Sequence, residues 1–385
     1  MTTANQPAPS QRLTVVQMLP ALEGGGVECG TIEIAAALVR AGHRAIVISE
    51  GGRLVEELET LGAEHVALPC GRKSLLTPRY IPVVRRLLRD EGVDILHLRS
   101  RLPAWIGYLA WRGMDAATRP RLVTTVHGAY SPGRYSAVMT KGERVIAVSD
   151  SIIDYIRANY PGVDPERIVR IYRGIDPADY YPDFRPDAAW RERFFAEHPK
   201  LADRWLITLP GRITQLKGHR DLIEIVAGLK ARGVPVHALL AGGVHPRRQA
   251  YWQDVQARVA ELGLKEDITW LGPRRDLREV LATSDVVLSL TCKPESFGRT
   301  VTEALALGRP VLGYDHGGVG EQLASFYPAG RVPPGDIVTA TETLLAWFQR
   351  GVPPTNEAPF PYTLRRMQDE TLGLYRVLTA DGADE

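Results

Sequence analysis

WLITLPGRITQLKGHRDLIE, residues 205–224, begins as an apolar run, breaks at Gly211, sets down Arg212 and Lys217, and then turns into a helical pattern. A near-continuous apolar strand, a short polar turn and a helix make the repeating unit of a parallel sheet covered on both faces. The rhythm continues downstream in VHALLAGG (236–243), ITWLG (268–272), DVVLSL (285–290) and PVLGYD (310–315), with helical patterns between them. Upstream it is already present in LTVVQML (13–19), AIVIS (45–49), DILHL (94–98), LVTTVH (122–127) and RVIAVS (144–149). The fold class is therefore α/β, with two doubly wound units in tandem. A charged, proline-flanked stretch separates them, which predicts a first domain over 11–180, a linker over 181–204 and a second domain over 205–350. After Pro361, Leu364, Met367, Leu374 and Leu378 share one helical face and predict a closing helix over 361–380.

Composition agrees with this division. At roughly 100–200 residues per domain, a chain of 385 residues holds two. Hydrophobic residues at 44% and charged residues at 24% describe a water-soluble domain protein. No stretch of the sequence approaches the ~20 apolar residues of a membrane span. The opening MTTANQPAPSQR reads as a disordered tail and not as an export signal, so a cytoplasmic protein is expected. Cys29, Cys70 and Cys292 are few, odd in number and widely spaced, which fits reduced thiols and not a disulfide framework or a metal knuckle. A formal charge of +2 does not by itself point to nucleic acid.

Three turns carry the chemistry. In LEGGGVECGTIEIAAALVRAGH, Gly24–Gly26 precede a helix whose free amides and positive dipole end suit an anion. Gly24 and Gly26 match the first two glycines of a dinucleotide fingerprint, Cys29 stands at the third, and Glu50 ends the next strand where a ribose acceptor would lie. A dinucleotide site and a turn kept only for packing both fit. In the second unit, Arg212 and Lys217 stand beside a helix start at the carboxyl edge of the sheet, where a diphosphate would bind. In KPESFGRTVTEALALGRPVLGYDHGG (293–318), Glu295 precedes a helix beginning near Gly298, and Glu303 lies about a turn and a half inside it. Carboxylates accept hydrogen bonds from sugar hydroxyls, and the amides of Ser296, Phe297 and Gly298 suit phosphate or sugar oxygens. Carboxylates beside a diphosphate repel it, so this pair needs the charge of Arg212 and Lys217. The plainer reading makes Glu303 a surface helical residue and Glu295 an acid favoured near a helix start.

In the first unit, His127 of TTVHGAY ends a strand, facing the same crevice if the two sheets oppose each other. Arg79, Arg85, Arg86, Arg99 and Arg101 cluster with Leu75, Leu76, Tyr80 and Trp105 over 71–105. This cluster suits an anionic acceptor at a membrane surface, or is a solvated helix face.

Taken together, GGGVE (24–28), TVHG (125–128), IYRGID (171–176), GRITQLKG (211–218), PESFGRTVTEALALGRPVL (294–312) and GGVGE (317–321) resemble the GT-B retaining glycosyltransferases of family 4, group 1, most of all the lipopolysaccharide-core type. The resemblance implies two Rossmann-like domains facing across a cleft. It implies transfer of a hexosyl unit from a nucleotide-diphosphate sugar, expected to be a UDP-sugar, to a glycan or glycolipid of the cell envelope with retained configuration. Arg212 and Lys217 then hold the donor diphosphate, Glu303 the ribose and Glu295 the sugar hydroxyls. His127 lies near the reacting carbon, Gly25 and Gly26 let donor and acceptor approach, and Arg274 of LGPRRD flanks the base. Catalysis is assigned to His127, Arg212, Lys217 and Glu295. No cofactor and no metal is expected, since the chain has no Asp-X-Asp triplet. Partners are the nucleotide sugar, the acceptor and an anionic inner-membrane face, with no nucleic acid. Arg173, where the family usually has asparagine, and Cys292, within the donor loop, are departures. An epimerase of the same architecture, an NAD-dependent oxidoreductase and a sugar-binding module without catalytic activity are the rival readings.

Overall fold

The computed structural model describes residues 12–354 and 359–380. The tail expected at the N-terminus falls, but for Arg12, outside them. Strands run β1 Thr14–Met18, β2 Arg44–Ser49, β3 Glu64–Ala67, β4 Ile95–Leu98, β5 Arg121–Val126, β6 Arg144–Ala147, β7 Ile168–Arg170, β8 Trp205–Pro210, β9 Val236–Ala241, β10 Ile268–Gly272, β11 Val286–Ser289, β12 Val311–Tyr314 and β13 Arg331–Val332. Helices run α1 Gly26–Arg40, α2 Val55–Thr60, α3 Tyr80–Asp90, α4 Arg101–Arg112, α5 Asp150–Asn159, α6 Ala188–Glu197, α7 His219–Lys230, α8 Gln249–Glu261, α9 Leu277–Thr283, α10 Arg299–Ala306, α11 Gly317–Phe326, α12 Ile337–Arg350 and α13 Leu364–Ala380.

The chain divides into two compact units. The first holds a seven-stranded sheet in the order β3-β2-β1-β4-β5-β6-β7, and the second a six-stranded sheet in the order β10-β9-β8-β11-β12-β13. All recorded pairings are parallel. Central strands have both faces covered, so their side chains are apolar on both: Val15, Val16 and Met18 of β1 are fully buried, and Val16 pairs with Ile46 on one side and Leu96 on the other. In each sheet the strand order reverses once, between β1 and β4 and between β8 and β11. Chain connections leave such a point in opposite directions and open a crevice at the carboxyl ends of the two strands.

The boundaries differ from the sequence expectation: the first unit gives way to the second between Tyr172 and Arg173 and not at 180. Residues 181–204, read as a linker, carry α6, which belongs to the second unit. Asp187 caps it, accepting from Trp190 N at 2.7 Å, and Phe194 is buried with Leu201, Leu206 and Val280. The charged run hides an apolar face, with Trp190 stacked on Phe194 at 4.7 Å. The closing helix α13 packs in the first unit from Arg365 onward. Its Tyr375 is fully buried, with its hydroxyl 2.6 Å from His97 Nδ1, and His97 Nε2 lies 2.6 Å from Thr125 Oγ1.

Candidate active site

The second unit gathers the candidate donor residues at its switch point. Strand β8 ends at Pro210, and Gly211, Arg212 and the turn Gln215–Lys217 lead into α7. Strand β11 ends at Ser289, and residues 290–298 lead into α10. The two loops are tied together where Cys292 N–H donates to Leu216 O at 2.8 Å. Gly218 enters α7 with φ +72°, and a Cβ there would lie 2.0 Å from Leu290 O. A side chain would force the loops apart, so glycine is needed for both reasons.

Lys217 Nζ donates to Glu295 Oε1, and the same oxygen accepts from Thr291 Oγ1 at 3.2 Å. Burial, and then the Arg212 guanidinium beside it, push the Lys217 ammonium down to about 8. Arg212 itself is exposed. Glu303 is buried in the second turn of α10, where Arg299 Nε donates to its Oε1 at 3.1 Å. It is therefore not a surface helical residue.

The intervening turn is held from behind. Gly298 caps α10 at φ +88°, and a Cβ on it would lie 2.7 Å from Val319 Cγ2. Gln322 of α11 is fully buried, donates to the Phe297 carbonyl and accepts from Thr302 Oγ1 at 2.7 Å. The Phe297 ring packs inward, edge-on to Tyr362, while Ser296 is half-buried. A third loop joins from β12, where His316 Nε2 lies 2.7 Å from Thr291 O and Gly318 N–H donates to Glu295 O at 2.8 Å.

Thr291, His316 and Gln322 were missed in the sequence. The available signal was DHGG after PVLGY, another strand–turn–helix opening on the same edge. Arg274 lies after β10, where it forms a two-point pair with Asp276 at 2.8 and 2.5 Å. Its guanidinium is committed to that carboxylate, which also accepts from Trp190 Nε1 at 2.8 Å.

The first unit shows the same construction. Gly25 caps α1, its missing side chain leaves room for the Glu28 carboxylate, and Gly26 faces open space. Glu50, the ribose acceptor of the dinucleotide reading, is paired with Arg72. His127 is half-buried just past β5, and its N–H donates to Tyr130 Oη at 3.3 Å. Arg101 opens α4 with its guanidinium 4.7 Å from the Tyr130 ring and 5.4 Å from that of Tyr135, within cation–π range.

The basic cluster expected on the surface is split. Arg79 and Arg86 are exposed, with Leu75 and Leu76 exposed beside them. Arg85 lies along α4 and donates to Ala110 O at 3.2 Å. Arg99 is a correction: it is 4% exposed and donates to Gln17 Oε1 at 2.8 Å, so it belongs to the interior between β4 and β1 and reaches no membrane. Arg173 is likewise buried. No group of three or more metal-ligating side chains occurs among the described residues, and no described helix is long and apolar enough to cross a membrane.

Two parallel α/β units in tandem, the second with paired cations and carboxylates at its switch point, define the GT-B class of folds. The model of Glycosyltransferase Family 4 matches residues 24–179, and that of Glycosyl transferases group 1 matches residues 191–351. The chain belongs to the glycosyltransferase group 1 family. A D-inositol 3-phosphate glycosyltransferase of Rhodococcus erythropolis is 32% identical over 271 residues, 64% of this chain and 60% of that protein. A glycosyltransferase from Rickettsia africae has a crystal structure matching at TM-score 0.79 and 27% identity, over 95% of this chain and 98% of that one. Anabaena HepE, solved in complex with UDP-glucose, matches at TM-score 0.71 and 20% identity over 97% and 99%, a likeness of fold alone. The chain spans between half and three-fifths of the length of the first two curated relatives it matches, 53% and 58%.

Proposed function

We propose that the chain is a retaining glycosyltransferase that moves a hexosyl unit from a UDP-sugar to an anionic glycan or glycolipid acceptor of the cell envelope, with lipopolysaccharide core as the pathway. The carrying observation is the Lys217–Glu295 pair at the β8/β11 switch point, with Arg212 ahead of it and Glu303 behind. An incoming diphosphate takes over Lys217 as counter-ion, with Arg212 as its second cation and the α10 amides at Ser296–Gly298 beside it. Glu295, released from the lysine, becomes an acceptor for sugar hydroxyls, and Glu303 takes the ribose. As the bond between the anomeric carbon and the phosphate oxygen breaks, charge grows on the leaving diphosphate, where fixed cations and amides act most strongly. The leaving phosphate oxygen takes the acceptor proton, so no enzyme nucleophile is required and no cofactor or metal is used.

A nucleotide sugar is consistent with the UDP-glucose bound by Anabaena HepE, and a phosphate-bearing acceptor with the substrate named for the Rhodococcus relative. For the acceptor side, Arg101 is fixed by two tyrosine rings at the start of α4, and Arg79 and Arg86 are exposed on α3 and the turn before it with Leu75 and Leu76. Exposed leucines within a basic segment suit the interface of an anionic bilayer. His127 is assigned to the donor sugar.

The test is transfer from radiolabelled UDP-glucose and UDP-galactose to membrane glycolipid extracts, with the product linkage read by NMR. Transfer that keeps the anomeric configuration and is lost in Lys217→Ala and Glu303→Ala supports the reading; donor epimerisation without an acceptor overturns it.

A further inference from the structure

At the outer edge of the second sheet, two strands away from the β8/β11 crevice, α8 and the edge strand β10 enclose a cavity of about 300 Å³. Trp252 and Trp270, side by side, line it together with Leu240, Val255, Gln256 and Lys265. Trp270 is 43% exposed, which is unusual for so large an apolar side chain, yet it does not swing freely because its Nε1–H donates to Gly242 O at 2.8 Å. The two indoles have centroids 4.9 Å apart with planes inclined at 50°, so they do not stack flat on one another. Leu240 and Val255 are each 1% exposed and belong to the packed core, so that part of the lining is held in place.

This lining selects a chemistry. Small-molecule pockets are mostly apolar with a few placed polar groups, and about 300 Å³ is the small end of their range. A sugar ring has that dual character: one face presents C–H bonds to an indole, and its rim of hydroxyls needs both donors and acceptors. Gln256 supplies both and the Lys265 ammonium supplies donors. An alkyl chain would use neither. A phosphate would call for more cations than Lys265, the one ionisable group among the lining residues.

We propose that this cavity is a saccharide subsite separate from the donor site, taking one sugar ring of a glycan against Trp270 and Trp252, with Gln256 and Lys265 on its hydroxyls. That the glycan is an acceptor or product of this same chain rests on the transferase reading above; the binding itself does not.

The experiment is a titration of the full chain, without donor, with maltose and with cellobiose, followed by tryptophan fluorescence and by saturation-transfer NMR on the sugar protons, with 1-hexanol as the apolar control. The expected result is a saturable fluorescence change with saturation transfer concentrated on ring C–H protons. It should weaken at least tenfold in Trp270→Ala and severalfold in the surface changes Gln256→Ala and Lys265→Ala, and persist in Lys217→Ala. Trp270→Phe, which keeps an aromatic face, retains part of the binding and guards against loss of fold as the cause. No response to either sugar, a response unchanged in Trp270→Ala, or binding of 1-hexanol in preference to both sugars overturns the proposal. So does sedimentation showing Trp270-dependent self-association without a sugar response. Because the titration involves no turnover, a chain that transfers nothing can still pass it, and an active transferase can still fail it.

Discussion

Lys217 donates to the Glu295 carboxylate and also lies within reach of the Arg212 charge. Partial burial, and then the Arg212 guanidinium beside it, push the ammonium down from its usual value of 10.5 to about 8. Donor affinity should therefore hold up to about pH 8 and fall above it, with proton uptake on binding between pH 8 and 10, measurable by calorimetry in two buffers of different ionisation enthalpy. The stability sign is opposite: the unfolded lysine keeps its proton longer than the folded one, so this group's penalty is full below pH 8 and disappears as pH rises toward 10.5. Glu303→Gln keeps the shape but removes the charge. Hydrogen bonds to charged groups contribute about 1.5–3 kcal/mol, so donor binding should weaken by one to two orders of magnitude by calorimetry, with unfolding little changed. The placement of both glutamates about the start of α10 was legible, because Ser296–Gly298 between them reads as a helix start; the burial of Glu303 was not. Arg99 was not, because a run of arginines reads the same whether a side chain turns outward or inward. Here Gln17 of the neighbouring strand, a buried acceptor among the apolar residues of β1, draws it in.

At the scale of elements, the site depends on turns that have no room for side chains. Gly298→Ala would place a methyl group 2.7 Å from Val319 on a backbone at φ +88°. The left-handed conformation alone costs roughly 1–2 kcal/mol per residue, and overpacking typically adds 1–3 kcal/mol. Urea unfolding should therefore show a loss of about 2 kcal/mol or more, together with impaired donor binding. Gln322→Leu should cost about 1–3 kcal/mol by leaving the Phe297 carbonyl and Thr302 hydroxyl without it. The strands and the helices behind them were legible in the sequence, because buried parallel strands are apolar runs and helices repeat at 3.6 residues. Helix α6 was not, since Trp190, Phe194 and Phe195 lie among arginines and glutamates that mask the apolar face, and Asp187 reads equally well as a loop residue or a cap. Gln322 was not legible either: its value comes from a contact 25 residues away in sequence.

At the scale of the molecule, the chain leaves its first unit, builds the second, and returns to the first with α13. Sequence periodicity shows that the last helix exists but not where it docks; that is fixed by Tyr375 on His97 and by Gln368, which accepts from Arg40 and donates to Glu33 O. Truncation before Leu364 should therefore destabilise the first unit, removing a buried tyrosine from its sheet. Limited proteolysis should show faster cleavage within residues 12–172 than within 205–350. Because cations in the chain are proposed to hold the diphosphate, transfer should be unchanged by EDTA. The most direct test of the central claim is calorimetric titration of UDP-glucose, other nucleotide sugars and NADH into the intact chain, Lys217→Ala and Glu303→Ala. Binding of one nucleotide sugar, lost or weakened at least tenfold in both variants, is the expected result; binding of NADH alone, unaffected by either change, would overturn the donor site and move it to the glycine turn of the first unit.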